Sequence, residues 1–242
     1  MKKTVLCTIC MRKGSQGVKN KNIKLINGKP LMYFTIKQAI KSKIFNHIVV
    51  STDSKKILKY AKNYGAEGWF MRPKKLSTNS SSKIKAIKHA LIEAEKYYGM
   101  KFKCIVDLDV TSPLRKVEDI INAYKLFLKK NPDVLISGAK SKKNPYFNVV
   151  EIINKKVKKV KSLKKGIFRR QDAPKTYDIN ASIYIWNRNA LINSNSAVQG
   201  LEKKSTGKAI LYEMPESRSI DIDNKLDFEL VEFLLKKRKF IL

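Results

Sequence analysis

Short apolar runs alternate with stretches of helical period along the first half of this chain, and that alternation allows few architectures. Strands and amphipathic helices in turn bury their apolar surface most simply as a mostly parallel sheet with helices on both faces, an α/β fold. Thr4 to Cys10 reads as a buried first strand, followed by a Gly- and Lys-rich loop from Met11 to Asn22. Pro30 opens a helix that runs to Lys43, because the first helical position does not need the N–H that proline lacks. His47 to Thr52 is a second strand, and Asp53-Ser54 caps a helix carrying Ile57, Leu58, Ala61 and Tyr64. The spacing of Ile84, Ile87, Leu91, Ala94 and Tyr98 predicts a longer helix from about Ser82 to Tyr98. Lys83, Lys85 and Lys88 in that stretch read as its solvated face. Cys104 to Asp109 is a strand ending in acids, and Val117 to Lys129 is a further helix.

Around Pro132 the pattern changes. Asp133 to Gly138 reads as a strand, and Val149 to Ile153 with Val157 to Lys161, joined at Asn154-Lys155-Lys156, predict a hairpin. Ala181 to Trp186 is a strong strand, and a helix carrying Leu226, Leu230, Leu234 and Leu235 closes the chain. Residues 1–138 and 177–242 are expected to form one core, with 139–176 as a hairpin-containing element inserted in it.

The charge is +32, from 52 Lys+Arg against 20 Asp+Glu, which first suggests a polyanionic partner. Only eight of the basic residues are arginine, and the lysines are spread among apolar residues at helical spacing, so solvated faces account for most of them. The chain has no aromatic-basic strand of the RNA-binding kind and no recognition-helix motif, so no nucleic-acid partner is expected. The apolar run from Thr4 to Cys10 is too short for a signal-peptide core or a membrane span, so a cytoplasmic protein without a membrane partner is expected. Cys7, Cys10 and Cys104 read as small buried hydrophobes, since positions three apart on a strand face opposite ways. Two histidines, His47 and His89, give little support to histidine metal sites or Ser-His-Asp chemistry.

In an open α/β sheet, ligands bind beyond the carboxyl ends of the strands. The loop after the first strand lies there: Gly14 and Gly17 let backbone approach a ligand, Ser15 offers a hydroxyl, and Arg12 and Lys21 supply charge, as a polyphosphate requires. A surface turn rich in lysine is the competing account of that loop. Asp107 with Asp109, and Asp221 with Asp223, repeat an acid spacing of two that suits oxygen ligation of a divalent cation. Acids at strand ends beside a phosphate loop suggest a metal-nucleotide site.

Six motifs in order resemble the acylneuraminate (sialic acid-type) cytidylyltransferases, also called CMP-sugar synthetases. Arg12-Lys13-Gly14-Ser15-Gln16-Gly17 with Lys21-Asn22 is similar to R-x-G-S-x-G…K-N, Lys13 standing where glycine is usual. Val49 to Asp53 matches the second-strand motif, Arg72-Pro73 to Leu76 the R-P-x-x-L segment, and Leu108 to Arg115 the pattern L-Q-P-T-S-P-L-R. Arg170-Gln171-Asp172-Ala173-Pro174 with Asn180 to Ile185 resembles R-Q-x-x-P…N-G-A-I-Y-I, and Ser219 to Asp223 resembles S-I-D-I-D.

The resemblance implies a Rossmann-like nucleotidyltransferase core, a small hairpin element that forms a homodimer, and activation of a nonulosonic acid with CTP. It implies that Arg12 and Lys21 hold the triphosphate, that the Gly14 to Gly17 loop with Ser15 and Asn22 touches the nucleotide, and that Arg72 with Ser80, Ser81 and Ser82 lies near the cytosine. Asp221 and Asp223, with Asp109 as a third candidate, would hold Mg²⁺ or Mn²⁺. Asp109, Thr111, Ser112, Tyr146, Phe147, Gln171 and Asn180 fall to the sugar side, and Arg170 would meet the sugar's carboxylate, in its own site or its partner's. Asp109 is also a candidate general base, alongside a metal-bound water or alkoxide. Asp109 replaces the family's usual Gln, and Asn144-Pro145-Tyr146-Phe147-Asn148 resembles members acting on legionaminic- or pseudaminic-type acids. CMP-N-acetylneuraminate and CMP-Kdo synthesis are the alternatives, the latter disfavoured because its Q-G-D-E-P motif is missing.

Overall fold

The computed structural model describes residues 4–15, 17–164, 166–195 and 207–237. Gln16 of the glycine loop, Lys165 at the end of the basic hairpin run and Arg238 lie outside them.

β1 (Val5–Cys10) is buried along nearly its whole length, as a strand flanked on both sides must be. A miniature hairpin follows, β2 (Leu25–Ile26) and β3 (Lys29–Pro30), turning through Asn27 and Gly28, both at positive φ. α1 (Leu31–Ser42) starts directly after Pro30, and β4 (His47–Ser51) pairs parallel with β1. α2 (Lys55–Asn63) is capped by Ser54, whose Oγ accepts from Ile57 N at 3.4 Å. α3 (Lys83–Tyr98) ends at Gly99 in the left-handed region, and β5 (Cys104–Leu108) pairs parallel with β1 on its other side. Next come α4 (Val117–Lys130), β6 (Val134–Lys140), β7 (Val150–Ile153), β8 (Lys156–Lys159) and β9 (Tyr177–Asn187). α5 (Arg188–Asn193), β10 (Ala209–Glu213) and α6 (Lys225–Lys237) complete the chain.

The main sheet has the order β10-β6-β9-β5-β1-β4. β9 is antiparallel to both β5 and β6, and the remaining pairs are parallel. Two apolar layers cover the faces: residues of α1, α2, α4 and α6 pack on one, and α3 with Leu191 of α5 on the other. Among the described residues no helix is long and apolar enough to cross a membrane. Cys7 lies buried in the first layer, and burial, with Asp107 nearby, pushes its thiol well above the usual range.

Three expectations need correction. The strand expected over Ala181 to Trp186 begins at Tyr177, because its first residues are exposed and pair only with the end of β6 past a bulge. The hairpin turns through two residues, Asn154 and Lys155, both at positive φ, so β8 starts at Lys156 and stops at Lys159. The sequence pattern also left α5 and β10 unassigned; β10 is an edge strand with mostly half-buried residues and no alternation to betray it.

Arg115 fixes the loop after β5 to two other elements. It is fully buried, donating to Ser182 O at 2.7 Å and Oγ at 3.0 Å, Thr35 Oγ1 at 3.1 Å and Gln38 Oε1 at 3.0 Å. Burial pushes this guanidinium down to about 10, with Asp109 opposing. Arg115→Ala removes these donors and opens a cavity, and is expected to cost about 4 kcal/mol in denaturant unfolding; a cost under ~1 kcal/mol would contradict that role.

Candidate active site

The carboxyl ends of β1, β4 and β5 bring three loops to one edge of the sheet. Arg12, on the first, donates through Nη1 to Thr78 O at 3.0 Å and Asn79 Oδ1 at 2.6 Å, tying that loop to the segment before α3. Lys13 N donates to Asp53 Oδ1 at 2.7 Å, so Asp53 anchors the loop and Ser54 alone caps α2. Asn22 is buried and donates through Nδ2 to Arg12 O at 2.9 Å. Gly14 is exposed and Ser15 half-buried. Arg72 is buried, with Nη2 donating to Met11 O at 2.5 Å and Nε unpartnered. Arg12, Arg72, Ser81, Ser82 and Asp109 line one cavity together with Cys10 and Lys83. Ser80 is exposed and stands 3.3 Å from Thr78 Oγ1.

The acidic loop packs onto the glycine loop from the other side. A Cβ on Gly17 would fall 1.7 Å from Asp223 O and 2.9 Å from its carbonyl carbon, so only glycine permits this approach. Lys21 Nζ donates to Ile222 O, and Ile222 N donates to Thr111 O at 3.0 Å, which joins the acidic loop to the loop after β5. Arg218 grips buried Asp119 through Nε at 2.9 Å and Nη2 at 2.8 Å and so fixes the start of the acidic loop. Asp221 is half-buried, its Oδ1 enclosed without a partner, and Asp223 is exposed. Burial first, then the charge of Asp109, pushes the Asp221 carboxyl up to about 6. Among the described residues no group of three or more acid, His or Cys side chains is preassembled for a metal, so Asp109, Asp221 and Asp223 do not form a ready triad.

Lys83 is the main departure from the sequence expectation. It is not part of a solvated face: its ammonium lies 2.8 Å from Asp107 Oδ2 and 2.6 Å from Asp109 Oδ2. Asp107 is fully buried and accepts from Thr8 Oγ1 at 2.8 Å, so it is closed to a metal. Burial works to raise the Asp109 carboxyl, but Lys83, with Thr111, holds it below the usual range, which makes it a poor proton acceptor at neutral pH. Helical phase carried the missing signal, since Lys83 precedes buried Ala86 and Ile87 by three and four residues.

The residues expected on the sugar side divide into three places. Thr111 is half-buried at the acidic loop, its N donating to Asp109 Oδ1 at 3.3 Å. Ser112 and Asn180 turn inward: Ser112 Oγ donates to Asn180 O at 3.3 Å, and Asn180 Oδ1 accepts from Ser137 Oγ at 2.7 Å. They brace the loop to β9 and β6 instead of facing solvent, because β9 runs between β5 and β6. Arg170 and Gln171 line a separate cavity with Asn144 and Lys175, and Arg170 donates to Ser141 O and Lys142 O. Tyr146 and Phe147 follow Asn144 in a turn in which Asn144 Oδ1 accepts from Tyr146 N at 2.9 Å. None of these four lines the Asp109 cavity in the single chain.

A cytidylyltransferase family model matches residues 6–240, which takes in every loop just described. The chain belongs to the cytidylyltransferase family. It is a CTP-dependent nucleotidyltransferase. A Campylobacter jejuni protein named CMP-N,N'-diacetyllegionaminic acid synthase is 46% identical over 231 residues, covering 96% of this chain and 94% of that protein. A Campylobacter coli protein named post-translational flagellin modification protein B is 45% identical, covering 97% and 96%. The solved structure of CMP:2-keto-3-deoxy-manno-octonic acid synthetase complexed with CTP superposes with a TM-score of 0.70 over 97% of this chain and 99% of that one, at 16% identity, a likeness of fold. The cytidylyltransferase thus keeps its glycine loop, its acidic loop and the Lys83 ion pair on one sheet edge.

Proposed function

We propose that this cytidylyltransferase couples CTP to a sialic acid-like nonulosonic acid of the legionaminic type, releasing pyrophosphate and giving the CMP-sugar. The observation that carries the choice of sugar is the 46% identity, over nearly the full length, to the synthase named for N,N'-diacetyllegionaminic acid. The departure at Asp109 from the usual Gln supports a sugar other than plain N-acetylneuraminate. The anomeric hydroxyl attacks the α-phosphorus in line and pyrophosphate leaves, a reaction in which positioning and electrostatics carry most of the rate. Arg12 and Lys21 supply cationic charge at the phosphate loop, and buried Arg72 adds a further positive charge to the wall of the cavity. The enclosed, unpartnered Asp221 oxygen and the neighbouring exposed Asp223 suit a hard divalent cation, Mg²⁺ or Mn²⁺, which when bound neutralises triphosphate charge.

Residues 139–176 form, in this reading, an inserted element through which two copies associate. Its support is the exposure of Ile152, Val157 and Phe168, apolar side chains that a homodimer would cover. Arg170 would then meet the sugar's carboxylate beside Tyr146, Phe147 and Gln171, and a cytoplasmic location fits a CTP-using enzyme.

Pyrophosphate release from CTP, screened against N,N'-diacetyllegionaminate, pseudaminate, N-acetylneuraminate, Kdo and 8-amino-Kdo, tests the reading. The first acid is expected to exceed the others at least about tenfold in kcat/KM, a discrimination of ~1.4 kcal/mol. Preferred turnover of N-acetylneuraminate or Kdo would replace it with one of the alternatives.

A further inference from the structure

We propose that Lys83 is a positioning residue that fixes Asp109 as a hydrogen-bond acceptor for the acid sugar, and so takes part in selecting it. The inference rests on the reading of the enzyme as a CMP-nonulosonic acid synthetase. Lys83 opens α3, and its ammonium reaches both strand-end acids, 2.8 Å to Asp107 and 2.6 Å to Asp109. The two acids differ in character. Asp107 is fully buried and held by Thr8, so it anchors the ammonium from within the sheet. Asp109 keeps part of its side chain open, at 20%, and borders the cavity shared with Arg12 and Arg72. The ring of Tyr184 lies 5.4 Å from the same ammonium and adds a cation–π contact.

Asp109 therefore presents a carboxylate whose direction is set by a buried ion pair behind it. A carboxylate only accepts hydrogen bonds, whereas the Gln of the related motif both donates and accepts. The sugar substituent meeting Asp109 must therefore donate, as a hydroxyl or an acylamino N–H does. A carbonyl oxygen turned toward it would face an acceptor and be rejected.

Three variants separate positioning from simple support: Lys83→Met, Lys83→Arg and the double variant Lys83→Met/Asp107→Asn. Each is assayed by pyrophosphate release for KM toward the acid sugar and toward CTP, and by thermal unfolding. Lys83→Met leaves Asp107 buried and unpaired, so its Tm is expected to fall; its KM for the sugar rises at least tenfold while KM for CTP changes less than twofold. The double variant removes the stranded charge and recovers most of the Tm, yet keeps the raised sugar KM. Lys83→Arg recovers part of the sugar KM. The proposal is overturned if the double variant regains the wild-type sugar KM along with its Tm, if KM for CTP moves instead, or if neither Met variant folds, which would leave the pair a structural one. If the wild-type enzyme prefers a different acid from the screen, the substrate reading fails alone, and the Lys83 variants are compared on the preferred acid.

Discussion

Gly17→Ala is expected to lower kcat/KM by about 100-fold, or ~2.7 kcal/mol of transition-state stabilisation. The added methyl would lie 1.7 Å from the carbonyl oxygen of Asp223, and neither neighbour is a flexible side chain that can swing away. One of the two loops must retreat. The retreat moves Asp223 away from the glycine loop and strains the Lys21 bond to Ile222 O, so cationic and acidic parts of the site lose their register together. Gly14→Ala, whose Cβ would meet nothing within 4 Å, is expected to leave the Tm unchanged. Steady-state pyrophosphate release checks the prediction; wild-type turnover by Gly17→Ala would mean that the contact between the loops is dispensable.

Asp221→Asn is expected to separate activity from stability, lowering turnover by about three orders of magnitude while raising the Tm of the metal-free protein. The carboxyl of Asp221, pushed up to about 6 by burial and then by Asp109, ionises more readily in the unfolded chain, where its value is the ordinary 3.8. Ionisation therefore favours unfolding: its penalty is absent below the unfolded value, grows as pH rises between the two values, and is complete above the folded one. At about 1.4 kcal/mol per pH unit the full shift corresponds to ~3 kcal/mol, which solvent screening of the half-buried side chain reduces to roughly 2 kcal/mol relieved by the amide, or ~5 °C in Tm, at pH 8. That gain shrinks toward pH 4. Thermal unfolding of both proteins in chelator at pH 8 and at pH 4.5 measures it, and an equal or lower Tm for Asp221→Asn at pH 8 would show that the buried oxygen carries no penalty.

Local pattern made much of the fold legible. Apolar runs located β1, β4 and β5, and the stripe of Ile84, Ile87 and Leu91 located α3, because burial on a sheet or a helix face leaves a period of its own. Two limits came from the same physics. The edge strand β10 has mostly half-buried residues and so no clear period, and β9 extends past its apolar stretch on backbone pairing and polar side-chain bonds to β6 and the residue after it.

The residues of the candidate site were legible to a similar degree. Arg12, Lys21 and the acidic loop stood out because charged groups and glycines clustered at predicted strand ends, and Arg72 stood out through its R-P-x-x-L motif. Ser112 and Asn180 looked equally available, yet the antiparallel insertion of β9 beside β5 turns them inward. Lys83 looked like one solvated lysine among many in a chain of charge +32.

The sequence by itself determined the class of fold and the family of chemistry, since these follow from local periodicity and ordered motifs, and strand-end composition pointed to the sheet edge that carries the candidate site. The tertiary structure alone decided which polar groups meet: Gly17 against Asp223, Arg218 against Asp119, and Lys83 between Asp107 and Asp109. Those partners lie far apart in the chain. Whether a charge is solvated or paired depends on which remote segment the packing brings beside it, and no local pattern records that.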